Sequence, residues 1–215
     1  MGGGAVESPF RPADLTPDLR LIETLGWDGQ RFVRLERHLD RLARSAARLG
    51  FAHDPKAIVE TLATITGPAP LRVRLTLAQD GRAEVTHGPL APNPALWRVA
   101  LAETRLEAGD PWLCIKTTRR QLYDRDRAAL PAGTHEYLYA NQQGELCEGT
   151  ITTLFFDIGS GLCTPPLRCG LLPGCLRAEL LETGAAREAV LTLADLPRAK
   201  LWMGNSLRGL IPARL

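Results

Sequence analysis

Residues His135 to Arg177 read HEYLYANQQGELCEGTITTLFFDIGSGLCTPPLRCGLLPGCLR, and the punctuation of this stretch decides the fold. Tyr137 to Ala140 is aromatic-rich and predicts a strand; Asn141-Gln142-Gln143-Gly144 predicts a turn after it. Ile151 to Phe156 is β-branched and aromatic with no breaker, which predicts a buried strand. Thr164-Pro165-Pro166 excludes helix interior, because proline lacks the N–H and clashes with the preceding turn. Gly170 to Gly174 then leads into an apolar and charged run, Leu176 to Leu181, that predicts a helix start. A helix entered through glycine offers free N–H groups and the positive end of its dipole to an anion. Glu148 is out of character, because it immediately precedes the most apolar strand. Either it is a strand-edge carboxylate facing solvent, or it is carried inward and needs a cationic or hydrogen-bonding partner.

Working outward, 215 residues suffice for one large domain or two small ones. A hydrophobic share of 45% and a charged share of 23% suit a soluble globular protein, and a net charge of +2 argues for neither nucleic acid nor a membrane surface. Met1-Gly2-Gly3-Gly4 precedes polar and proline-rich residues, so no signal peptide is expected, and no apolar run is long enough for a membrane span. The five cysteines form no close pair near a histidine, so no metal is expected; an odd count suggests free thiols in the cytoplasm.

Pro9, Pro12 and Pro17 oppose a helix over residues 1–17, where a mobile start is expected. Leu21 to Leu25 predicts a strand, with a turn at Trp27 to Gln30 and a returning hairpin strand from Arg31 to Leu35. Leu35, Leu39, Leu42, Ala46 and Leu49 recur at three- and four-residue steps and predict a helix from Glu36 to the stop at Gly50. A second helix is expected over Pro55 to Thr66, then strands over Leu71 to Leu77 and Ala83 to Thr86. Arg72 and Arg74 share one face of the first of these strands. Gly88 to Ala95 is the linker candidate, dividing the chain into domains 1–90 and 91–215. Beyond it come strands at Trp97 to Ala102 and at Trp112 to Ile115, the latter ending at Lys116, then a helix from Arg119 to Leu130. Leu201 to Met203 predicts a last strand, followed by a turn holding Ser206.

Four motifs in this frame resemble a known family. They are H-L-x-R-L-x-x-S from His38, K-T-T-R-R-x-L-Y from Lys116, N-x-x-G-x-L-x-E-G-T-x-T-x-L-F-F from Asn141, and T-P-P-L-x-x-G-L-L-P-G-x-x-R from Thr164. The chain resembles the class IV aminotransferases, the pyridoxal-phosphate family of branched-chain and D-amino acid aminotransferases and aminodeoxychorismate lyase. The resemblance implies a two-domain α/β fold of the α+β type, with a small N-terminal α/β domain and a larger β-rich C-terminal domain. It makes Lys116, which precedes Glu148 by 32 positions, the Schiff-base lysine, and Glu148 the partner of the pyridine nitrogen. Arg41, Ser206 and the amides of Cys175 and Leu176 would hold the cofactor phosphate; Arg72 or Arg74 would anchor a substrate carboxylate, and Tyr123 would reach the ring hydroxyl. Leu176 stands where the family often has threonine, and Thr153 where asparagine is common. The implied protein is a homodimer moving an amino group between an amino acid and a 2-oxo acid; a lyase or a non-catalytic relative is the alternative. Family members carry further strand residues before Leu21, so a small amino acid with one carboxylate is the expected substrate.

Overall fold

The computed structural model describes residues 10–215; the opening expected to be mobile falls largely on residues 1–9, outside the described residues. Three strands, β1 (Leu21–Trp27), β2 (Leu71–Leu77) and β3 (Ala83–Pro89), form an antiparallel sheet in that order. Two helices, α1 (Leu35–Leu49) and α2 (Pro55–Leu62), cover one face. The alternation in Leu-Arg-Val-Arg-Leu-Thr-Leu explains this packing. Val73, Leu75 and Leu77 join Leu21 and Leu25 in a core with Leu42, Ala46 and Leu49 of α1 and Ile58 and Leu62 of α2. Arg72 and Arg74 are thereby turned to the opposite face. Gly50 stops α1 in the left-handed conformation at φ 69°, its N–H bonded to the Ala46 carbonyl.

Residues 31–35 do not form the expected hairpin strand. The Asp28 carboxylate accepts the N–H groups of Gln30 and Arg31 at 2.9 Å each, and only Trp27 and Phe32 bridge. Arg34, at φ 58°, then turns the chain directly into α1, and the partner of β1 is β2, from Leu21 opposite Leu77 to Trp27 opposite Leu71. Helix α2 ends at Leu62, short of Thr66. The Thr64 hydroxyl donates to the Thr61 carbonyl at 2.8 Å, a local bond that competes with continuing the helix.

The rest of the chain supplies β4 (Trp97–Leu106), α3 (Gln121–Ala128), β5 (Glu136–Asn141), β6 (Leu146–Gly149), β7 (Thr153–Asp157), β8 (Cys163–Thr164), α4 (Cys175–Glu182), β9 (Arg187–Glu188), β10 (Lys200–Asn205) and β11 (Gly209–Arg214). Its strands are ordered β10-β11-β4-β5-β6-β7-β8-β9, and β10 also pairs with β7, Met203 opposite Leu154. The run from β10 to β7 therefore closes into a barrel, which removes open edges from those strands. β4 lies parallel to both β11 and β5. Leu138, Leu146, Leu154, Phe156, Met203 and Ile211 belong to its core.

Trp112 to Ile115 is not a strand. Residues Pro111–Cys114 make a 3₁₀ turn, because proline suits a first helical position and the Asp110 carboxylate accepts the Trp112 N–H at 2.9 Å. Lys116 instead sits in an extended segment laid against β1: its carbonyl accepts the Ile22 N–H at 2.8 Å, and the Thr118 N–H reaches the Arg20 carbonyl at 2.9 Å. Among the described residues no helix is long and apolar enough to cross a membrane.

Candidate active site

A cavity of about 330 Å³ lies where the small sheet, the Lys116 segment and one end of the barrel meet. Its wall includes Arg41, Lys116, Tyr123, Glu148, Cys175 and Ser206, with Arg72 and Arg74 contributed by β2. Leu176 is the exception among the expected site residues: its side chain is buried in the core, and only its backbone is at the start of α4.

Lys116 reaches the cavity from the segment strapped to β1. Burial first, then the charges of Arg41 and Arg120, bring its ammonium down to about 8. Glu148, on β6, is buried rather than solvent-facing, at 7% exposure. The Tyr123 hydroxyl donates to its Oε1 at 2.6 Å and the Leu172 N–H to its Oε2 at 3.0 Å. Burial pushes the Glu148 carboxyl up to about 7 against the opposing effect of these two bonds and of Lys116. Burial, then the neighbouring Glu148, pushes the Tyr123 phenol well above its ordinary value, so it remains a donor. Tyr123 and Glu148 thus meet directly.

The loop after Glu148 is fixed by a second buried carboxylate, Glu136 of β5, which is fully buried. Glu136 accepts from the N–H groups of Tyr137, Thr150 and Ile151 and from the hydroxyls of Thr150 and Thr152. Gly149 is required here, since a Cβ would lie 2.7 Å from Glu136 Cγ.

On the other side of the cavity, α4 begins at Cys175 after Gly174, with no side chain capping its first amides. Ser206 and Arg41 stand beside this helix end. Arg41 donates from Nε and Nη2 to the two oxygens of Glu23, at 2.8 and 2.5 Å, and from Nη1 to the Pro173 carbonyl at 3.2 Å. His38 bridges the same Glu23, 2.6 Å from Nδ1, to the Ser206 hydroxyl, 2.8 Å from Nε2. Burial alone would raise the Glu23 carboxyl, but the Arg41 guanidinium overrides it and holds the group at about 2. Burial opposes the charged form of His38, yet Cys175 and Glu23 leave its pKa raised. The donor atoms of Glu23, His38 and Cys175 lie within 4.8 Å of one another. With both Glu23 oxygens engaged by a guanidinium, this trio is a charge network and not a cation cage.

Glu23, His38 and Glu136 were not singled out in the sequence. The signal for Glu23 was a charge inside the apolar strand L-I-E-T-L, and His38 opened the quoted H-L-x-R-L motif. Glu136 had only its neighbourhood in the deciding stretch.

The fold and site define an enzyme scaffold with a buried amine, a buried carboxylate and an uncapped helix end around one cavity. Residues 20–215 match the family described as amino-transferase class IV, and the chain belongs to that family, whose members use pyridoxal phosphate. A provisionally named aminodeoxychorismate lyase of Schizosaccharomyces pombe is 31% identical over 176 residues, 78% of this chain and 75% of that protein. The solved structure of a provisionally named amino-acid aminotransferase from Mesorhizobium loti is 50% identical with a TM-score of 0.88, covering 92% of this chain and 100% of the other. That of 4-amino-4-deoxychorismate lyase from Pseudomonas aeruginosa is 25% identical with a TM-score of 0.76, covering 98% of this chain and 87% of the other.

Proposed function

We propose that this protein is a pyridoxal-phosphate-dependent transaminase that moves an amino group between an amino acid and a 2-oxo acid. The observation that carries the reading is the pairing, in one cavity, of an amine brought down to about 8 with a buried carboxylate held by Tyr123 and Leu172. The residues fit the cofactor. The uncapped first amides of α4, at Cys175 and Leu176, with Ser206 and Arg41 beside them, suit a phosphate. Glu148 suits a pyridine nitrogen and Lys116 an aldehyde.

When bound, pyridoxal phosphate supplies an electron sink for the pair left by removal of an amino acid's α-proton. Lys116 would be the residue that holds the cofactor and would move the α-proton: near neutrality its amine exchanges protons readily, because burial and neighbouring cations disfavour its charged form. Glu148 stabilises positive charge at the atom it faces, and Tyr123 keeps that carboxylate oriented. His38 holds the Ser206 hydroxyl, and Glu23 holds the Arg41 fork, so the anion cradle is formed in advance. Arg72 and Arg74 face the cavity as carboxylate anchors. The reading includes a division into domains 1–90 and 91–215, supported by their largely separate hydrophobic clusters, and a cytoplasmic homodimer. A second reading, aminodeoxychorismate lyase, is favoured by the likeness to the Schizosaccharomyces and Pseudomonas proteins.

Borohydride reduction of the purified, cofactor-treated protein followed by peptide mapping should place the label on Lys116; a label on Lys56 or Lys200 overturns the assignment. A transaminase then releases one 2-oxo acid per site from a single amino acid with no acceptor present. Sustained formation of pyruvate and aminobenzoate from aminodeoxychorismate, with no such half-reaction, selects the lyase.

A further inference from the structure

Thr153 opens β7 and is 6% exposed, yet its hydroxyl has no hydrogen-bond partner among the described residues. The hydroxyl is not sealed in, because Thr153 belongs to the wall of the cavity. A hydroxyl buried to this degree without a partner costs free energy, which a ligand in the cavity recovers by accepting its proton.

The sheet register aims that hydroxyl. Thr153 stands opposite Glu148 on β6 and opposite Gly204 on β10. Directly opposed residues share a sheet face, so the three make a row on the face that carries the Glu148 carboxylate. The first turn of α4 is laid on this row through two glycines. A Cβ on Gly174 would lie 2.8 Å from Thr153 Oγ1, and a Cβ on Gly204 would lie 3.1 Å from Leu176 Cδ2. Gly174 sits at φ −67°, which any residue adopts, so the close approach of the threonine is what calls for glycine there. The first hydrogen bond inside α4 runs from the Ala178 N–H to the Gly174 carbonyl at 2.9 Å. The N–H groups of Cys175, Leu176 and Arg177 precede it and point out of the helix end. A free hydroxyl and an open helix end thus converge on one corner of the cavity.

We infer that the Thr153 hydroxyl donates to the anion held at the start of α4, and so is a further ligand of the cofactor phosphate beside Arg41 and Ser206. Arg41 is already engaged by Glu23 and Pro173, and the Ser206 hydroxyl by His38. Of these three side chains, Thr153 is the one whose donor is uncommitted. The inference rests on the proposed function for the molecule that carries the phosphate. Thr153 is then a specificity residue: it separates the phosphorylated aldehyde from the unphosphorylated one, whichever reaction follows at Lys116.

The test measures three ligands on the full chain freed of cofactor: pyridoxal phosphate and pyridoxal by absorbance titration, and inorganic phosphate by phosphorus-31 NMR. Thr153→Val keeps the branched shape and removes the donor. It should weaken pyridoxal phosphate and inorganic phosphate about tenfold, the effect of one hydrogen bond to a charged group, while leaving pyridoxal affinity and the melting temperature unchanged. Thr153→Ser should restore most of the loss. Gly174→Ala crowds the hydroxyl and should weaken pyridoxal phosphate in the wild-type background but add little to Thr153→Val. Unchanged pyridoxal phosphate affinity in Thr153→Val overturns the inference. So does an equal loss for pyridoxal, which marks a packing role, or a loss confined to inorganic phosphate, which assigns the corner to the free ion. The two proposals fail separately: a borohydride label away from Lys116 with the Thr153-dependent phosphate preference intact removes the proposed function alone. A label on Lys116 with Thr153→Val binding all three ligands as the wild type does removes the role of the hydroxyl alone.

Discussion

Replacing Glu23 by glutamine tests how the anion cradle is held. Glu23 is 1% exposed and binds Arg41 through both oxygens while bonding His38. Its carboxyl sits at about 2 against an ordinary 4.5. A difference of that size corresponds to about 3 kcal/mol of folding stability, at roughly 1.4 kcal/mol per tenfold. The amide also leaves Arg41 as an uncompensated buried cation, a situation that costs about 3–5 kcal/mol. The two routes agree, so Glu23→Gln should lose about 3 kcal/mol at pH 7, a fall in Tm of about 6–12 °C for a chain of this size. A carboxyl depressed by folding contributes stability that is fully present above its unfolded pKa and is lost as pH falls through the folded one. The gap between wild type and variant should therefore be flat from pH 7 to 5 and shrink below the ordinary 4.5 toward about 2. Urea titrations across that range measure it. A gap under about 1 kcal/mol at pH 7, or one that grows on acidification, would refute the reasoning.

Glu148→Gln should retain cofactor, seen by absorbance, and lose turnover by about 10²-fold or more, the scale of removing one preorganised electrostatic partner; unchanged turnover removes Glu148 from the chemistry. In cofactor-free protein, Tyr123→Phe deletes the 2.6 Å bond that lowers the Glu148 carboxyl, so its titration followed by carbon-13 NMR should move upward from about 7; a downward move contradicts the assignment. In cofactor-free protein, trinitrobenzenesulfonate should modify Lys116 with a rate rising through about pH 8, because only the neutral amine reacts and its pKa is brought down to that value; a midpoint above pH 10 would contradict it.

What could be read in the sequence was what local chemistry specifies. The leucine stripe and Gly50 gave α1 almost to the residue, and the alternation of Leu71 to Leu77 gave β2 with its two arginines on one face. Lys116, Glu148 and the start of α4 were legible because motifs of fixed spacing carry them. The misreadings came from competing local geometry: the expected turn at residues 27–30 leads, through Arg34 in the left-handed conformation, straight into α1 where a strand over 31–35 was expected, and Pro111 with Asp110 winds a 3₁₀ turn through an apolar run. Pairings far apart in sequence left no local trace. The closure of the barrel by β10 on β7 and the approach of Glu23 to Arg41 and His38 arise only when the chain folds back.

The strap between the Lys116 segment and β1 bears on how the molecule can move. The bonds from Ile22 to Lys116 and between Thr118 and Arg20, the last reinforced by the Thr118 hydroxyl at 3.0 Å, join the small sheet to the chain that carries the amine. A hinge that swung the sheet away from the barrel would have to shear this ladder and displace the lysine as it opened. Breathing of the molecule is thereby coupled to the position of the Lys116 amine. Arg72 and Arg74, exposed on β2 and lining the cavity, are free of this ladder, and side chains of that kind change rotamer in nanoseconds without any parting of the two sheets.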